Sequence, residues 1–105
     1  GCTAGAIERF YIGASGEVQP CEFLNISFGN VQEESFNDIY QRMRAYFPQP
    51  GIDWLCCTQA DAVYQLMNQH GIDQTPLPWP ITKELVEKWD RGNETPLYKR
   101  LGIYK

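Results

Sequence analysis

The chain has 105 residues, is 43% hydrophobic and 13% aromatic, and carries a net charge of −4. That size suits one domain with a modest core, and the apolar content excludes a disordered chain. No apolar run approaches the ~18 residues of a membrane helix, and the scattered basic residues, with only Lys99-Arg100 adjacent, lack the positive face that binds nucleic-acid backbones.

The N-terminal third reads as β. Strand-like segments cover residues 8–12 and 17–21, with a third candidate at 23–26. Ser15-Gly16 supplies the positive φ that a short hairpin loop needs. From Ser35 onward the chain reads as helical. Ser35, with Asp38 three residues on, caps a first helix. Phe36, Ile39, Tyr40, Met43 and Phe47 recur along it at helical spacing, and Pro48 and Pro50-Gly51 stop it. The acidic pair Glu33-Glu34 lies where negative charge favours a helix start.

Thr58, with Asp61 three residues on, is expected to cap a second helix bearing Ala60, Val63, Tyr64 and Met67. Gly71 ends that helix, and His70 beside it meets the C-terminal dipole. Thr75-Pro76-Leu77-Pro78-Trp79-Pro80 is expected to run extended, anchored by Trp79. Thr82 caps a third helix, with Ile81 and Val86 as a hydrophobic staple and Arg91-Gly92 as its stop. Thr95-Pro96 opens a short terminal helix. Trp54, Trp79 and Trp89 read as core or tail anchors. The fold class is therefore α+β, an N-terminal β-hairpin followed by three to four short helices. Residues 1–71 read as the main domain and 72–105 as a peripheral helical tail.

The chemistry lies in four cysteines, at 2, 21, 56 and 57. Cys2 and Cys21 bracket the hairpin in the pattern Cys-x₁₃-Gly-x₄-Cys, and a tight hairpin can bring its distant ends together. Two thiols so placed suit a metal centre or a disulfide. Structural zinc sites show paired C-x₂₋₄-C spacing, which is missing here. Thiolates arriving from separate elements suit an iron–sulfur cluster, which is larger than one ion. The other reading is a non-catalytic interaction module, with a Cys2–Cys21 disulfide as an added staple. A thiol oxidoreductase is disfavoured by the absence of C-x-x-C.

The same residues resemble the SPASM and twitch domains, C-terminal auxiliary iron–sulfur domains of radical S-adenosylmethionine (SAM) enzymes. Tyr11-Ile12, Gly16 and Glu17-Val18-Gln19-Pro20-Cys21 are similar to the family hairpin. Phe28-Gly29-Asn30-Val31 is similar to its Gly-Asn turn. Ser35-Phe36-Asn37-Asp38-Ile39-Tyr40 resembles the short helix that follows. The likeness covers residues 2–57. The later cysteine run of full SPASM domains is reduced to Cys56-Cys57, which makes the one-cluster twitch arrangement the closer likeness.

The resemblance implies one [4Fe–4S] cluster, held by Cys2, Cys21 and one or both of Cys56 and Cys57. Cys57 is favoured, since the expected Thr58 cap would put it at the positive end of a helix dipole; Cys56 would then face the core. It also implies an upstream radical SAM barrel as partner, SAM bound only there, and a peptide or small-molecule substrate. The C-x₃-C-x₂-C motif that binds the SAM-cleaving cluster is absent, so the chain would aid substrate binding or electron transfer without catalysing alone. Residues 1–20 lack a basic start followed by an apolar block, so a cytoplasmic protein is expected. Without a bound centre, the residues before the hairpin are expected to lose their anchor.

Overall fold

Gly16, at φ 92°, lets the chain reverse. The reversal pairs strand β1 (Tyr11–Ile12) antiparallel to β2 (Val18–Gln19), with Tyr11 opposite Gln19 and Ile12 opposite Val18. A computed structural model describes residues 2, 4–6, 9–47 and 54–88 of the chain. The Gly13 N–H donates to the Glu17 carbonyl (3.0 Å) and the Gly16 N–H to the Gly13 carbonyl (2.9 Å), which closes the turn. β2 is shorter than its sequence suggests because Pro20 has no N–H to extend the ladder. The candidate strand at 23–26 is reduced to isolated bridges, Cys21 with Leu24 and Ile26 with Leu77.

Residues 28–31 run along β2. The Val18 N–H donates to the Gly29 carbonyl (2.9 Å), and the Phe28 N–H donates back to the Val18 carbonyl (2.8 Å). Asn30 locks the turn, donating through Nδ2 to the Ser15 carbonyl and accepting at Oδ1 from the Gln32 N–H. Helix α1 (Phe36–Tyr46) then starts as expected, the Asp38 N–H donating to Ser35 Oγ at 3.2 Å. Ile39, Met43 and Phe47 are buried, and Phe36 and Tyr40 lie toward its outer side.

The second helical region departs from expectation. Helix α2 (Leu55–Thr58) is followed by α3 (Ala60–His70), and Thr58 ends the first instead of capping the second. The Cys57 and Thr58 N–H groups both donate to the Trp54 carbonyl at 3.0 Å, so the turn has already formed before Thr58. Gln59, at φ −104° and ψ 1°, breaks it. Gly71 ends α3 in the left-handed conformation, as expected. Helix α4 (Trp79–Val86) begins three residues before Thr82. Pro78 and Pro80 sit at the N-cap and first turn, where a missing N–H costs nothing. The staple read from Ile81 and Val86 therefore does not apply.

Thr82 is buried instead, donating to the Leu77 carbonyl (2.9 Å) and accepting from the Ser27 N–H (3.3 Å). The segment after Gly71 is not peripheral where it is described: Leu77, Leu85 and Val86 belong to the core. The Ser27 N–H donates to the Leu77 carbonyl (2.8 Å) and the Leu77 N–H to the Asn25 carbonyl (3.1 Å), which stitches this segment to residues 25–27. Trp79 does act as an anchor. It stacks on Phe28 with ring centroids 5.4 Å apart, and the Arg42 guanidinium lies 5.0 Å from its ring centre. Arg42 also makes a two-pronged pair with Glu34 (2.6 and 3.0 Å) and donates to the Phe28 carbonyl (2.6 Å). Glu34 thus answers a guanidinium one helix turn away from the dipole it was expected to meet. Pro48, Pro50-Gly51, Trp89, Arg91-Gly92 and Thr95-Pro96 lie outside the described residues. Among the described residues, no helix is long and apolar enough to cross a membrane.

Two outcomes test this packing. Gly5, at φ +83°, has no room for a side chain: a Cβ there would lie 2.0 Å from Phe47 Cγ, whereas at Gly71 it would meet nothing. Gly5→Ala should lower unfolding free energy by about 3 kcal/mol, and Gly71→Ala by about 1 kcal/mol. Equal urea midpoints for the two variants would contradict the Phe47 contact. The hydrogen bond from Arg42 holds the Glu34 carboxyl below the usual carboxylate range. A depressed acid contributes stability above its unfolded pKa, and that stability is lost as pH falls through the folded value. The advantage of wild type over Glu34→Gln should therefore close below about pH 4, as read by urea unfolding across an acid pH series.

Candidate functional site

Three chain segments converge below the hairpin. The Gly5 N–H donates to the Pro20 carbonyl at 3.0 Å, which lays the N-terminal stretch beside the end of the hairpin. Cys2 is 5% exposed and Ala4 is buried, so both pack into the core beside the hairpin. Cys21 is 8% exposed and is held by its bridge to Leu24. The buried Gln19 side chain secures that bend, its Nε2 donating to the carbonyls of Leu24 (3.1 Å) and Cys21 (3.4 Å). Leu55, fully buried, pins α2 against the same core.

The three segments enclose a cavity of about 30 Å³, lined by Cys2, Cys21 and Cys56 with Arg9, Phe23 and Trp54. Cys57 is exposed and is not part of the lining. Helix geometry separates the two neighbours, because successive residues point about 100° apart around the axis. Cys56 lines the cavity, while Cys57 lies outside the lining yet near enough to hydrogen-bond Cys56. The sequence preference for Cys57 rested on a cap at Thr58, and that cap is absent. All four cysteines are free thiols, so no Cys2–Cys21 disulfide is formed in this structure.

Burial pushes the Cys56 thiol pKa up, and a hydrogen bond with Cys57 and the charges of Cys57, Cys21 and Cys2 push it further. The neighbouring sulfurs are therefore close enough to oppose ionisation of Cys56. A centre of positive charge in the cavity would reverse that opposition, since iron binds the thiolate form.

Among the described residues, no three His, Cys, Asp or Glu side chains are gathered as around a single ion. A tetrahedral zinc with bonds of about 2.3 Å would draw its sulfurs to within about 4 Å of one another. A four-iron cube spans more space and accepts sulfurs set further apart. The donor set fits such a thiolate-held centre. The present volume is about that of one water, so the cavity must widen to take it. Its outer wall can yield, because Phe23 is 66% and Trp54 55% exposed.

A family model described as the SPASM iron–sulfur cluster-binding domain matches residues 2–58, just over half of the chain. The chain belongs to the SPASM family. Iron–sulfur cluster binding is the activity that this membership carries. No curated protein and no solved structure matches the chain. The SPASM match begins at Cys2 and ends just past Cys57, so it takes in all four cysteines and the α2 turn.

His70 lies apart from the thiols, its Nε2 2.9 Å from Glu84 Oε2 on α4. A groove of about 300 Å³ between α3 and α4 is lined by Gln59, Gln65, Gln69, Glu84 and Lys88, and holds no thiol. Three residues of the cavity escaped the sequence reading. Trp54 was taken as an anchor and Phe23 as part of a strand; each stands two residues from a cysteine of the cavity, which was the available signal. Arg9 carried none, since it arrives through a turn closed by the Ala6 N–H donating to the Arg9 carbonyl (2.9 Å).

Exposure orders the reactivity of the four thiols in protein freed of metal. Iodoacetamide should label Cys57 first, Cys56 more slowly, and Cys2 and Cys21 last under native conditions, as followed by peptide mass spectrometry. Fast labelling of Cys21 with Cys57 protected would contradict the placement.

Proposed function

We propose that the chain is an auxiliary domain of a radical SAM enzyme and holds one [4Fe–4S] cluster through Cys2, Cys21 and Cys56. The observation that supports this ligand set is the convergence of those three side chains on one cavity, within the stretch matched by the SPASM family. Cys57 remains outside the set. The cluster supplies one-electron transfer, and the protein tunes it through burial, hydrogen bonds to sulfur and local charge.

The chain's own residues divide the task. Gln19 fixes the bend that carries Cys21, the Gly5–Pro20 bond seats Cys2, and buried Leu55 orients Cys56. Phe23 and Trp54 limit access of water from outside. With three protein thiolates, one corner of the cluster is left for a substrate atom or another side chain. The chain contains no C-x₃-C-x₂-C motif, and the radical-forming barrel is assigned to a separate upstream part of the parent enzyme, where SAM binds. The substrate class is a peptide or small molecule, and the compartment is reducing, such as the cytoplasm, where thiols persist.

Anaerobic reconstitution with ferrous iron and sulfide tests the ligand set. Wild type should bind about four irons per chain, as a four-iron cluster requires, and turn brown. Cys2→Ser, Cys21→Ser and Cys56→Ser should each lose the colour and most of the iron, while Cys57→Ser keeps both. Folded, colourless wild type would support the interaction module instead. Loss of iron in Cys57→Ser with retention in Cys56→Ser would exchange their assignments.

A further inference from the structure

Arg9 is the one basic residue lining the cysteine cavity. The remaining basic side chains among the described residues are engaged or distant. Arg42 is held by Glu34 and the Phe28 carbonyl, and Arg44 by the Phe47 carbonyl. Lys83 faces Glu87, and Lys88 lines the α3–α4 groove. The Arg9 guanidinium makes no hydrogen bond or ion pair with any described residue. In an acidic chain with a net charge of −4, Arg9 is the basic side chain that, among the described residues, stands where three thiols meet.

We propose that Arg9 is the counter-charge of this cavity, offsetting the negative charge of the thiolate-held cluster and raising its reduction potential. The proposal rests on the cluster reading above. Reduction adds one electron and one negative charge to the cluster, and no bond forms or breaks. A cation at the cavity wall stabilises the reduced form more than the oxidised one, and because Arg9 is exposed its charge acts partly through solvent. Arg9 touches neither substrate nor reacting atoms in this role and acts as a positioning charge.

The test compares the full chain as wild type, Arg9→Gln and Arg9→Lys after anaerobic reconstitution with ferrous iron and sulfide. Iron is counted, and the midpoint potential is read by titration with dithionite, the one-electron donor. All three should hold the same iron. Arg9→Gln should be about tenfold harder to reduce, a downward shift of about 59 mV, with Arg9→Lys near wild type. Loss of iron in Arg9→Gln but not in Arg9→Lys would also support charge compensation. An unmoved Arg9→Gln midpoint in loaded protein overturns this proposal alone, as does an Arg9→Lys midpoint displaced as far as that of Arg9→Gln. Wild type that takes up no iron overturns the cluster reading and this proposal with it.

Discussion

The backbone of residues 26–28 is gripped from two sides, and everything else in the described structure is placed by that grip. On one side Val18 exchanges hydrogen bonds with Phe28 and Gly29; on the other, Leu77 exchanges them with Asn25 and Ser27. A two-stranded hairpin is marginal in water by itself. Here β2 gains a second neighbour, and the fully buried Phe28 ring closes the layer by packing on Trp79, Tyr46 and Phe47. Thr82 reinforces the joint, adding a second bond to each of the Ser27 N–H and the Leu77 carbonyl, which already pair with each other. The N-terminal hairpin and the C-terminal α4 are therefore parts of one core. Through Pro20 and Gln19 the same joint sets where Cys21 stands.

The cysteine cavity is built against an electrostatic cost. Burial and the neighbouring sulfurs make ionisation of Cys56 unfavourable, whereas a neutral thiol is tolerated there. Cysteine packs well in such a place. Iron changes the sign, because it binds thiolate and removes like-charge repulsion by supplying the positive centre. The sulfurs of Cys2, Cys21 and Cys56 line the pocket as thiols and would serve as ligands in the proposed cluster. The hydrophobic contacts of Cys2 and Cys21 keep the segments together across both.

Local signals that depend on one or two residues were legible in the sequence. The glycine turn at Gly16, the Ser35 cap and the Gly71 stop each follow from a conformational preference that tertiary contacts do not overrule. The Cys-x₁₃-Gly-x₄-Cys pattern carried the family and with it cluster binding. The starts of α3 and α4 were misread for one reason. Thr58 and Thr82 look like caps, but a threonine hydroxyl serves equally well inside a core, as Thr82 does, and three prolines in five residues obscure a helix that uses two of them at its N-cap and in its first turn. Leu77 could not be placed from sequence because its partners, Asn25 and Ser27, lie some fifty residues away. The sequence argument for Cys57 over Cys56 used the same expected cap: Thr58 ends α2 and begins no helix, so Cys57 lies within α2 and not just before a helix start.

The cavity is rigid at its floor and adaptable at its mouth, and that asymmetry bears on how a cluster would sit. Ala4, Leu24 and Leu55 form the floor and are essentially inaccessible to solvent. Displacing them would open voids in a close-packed core, at several kcal/mol each. Phe23 and Trp54 at the mouth already spend more than half their surface in water, so moving them forfeits little burial. A bulky group must then be accommodated by outward movement of the mouth, with its sulfurs held from below by Cys2 and Cys21. A cluster held there would be reached by solvent past Phe23 and Trp54, and solvent exposure is one of the levers that set a cluster's potential.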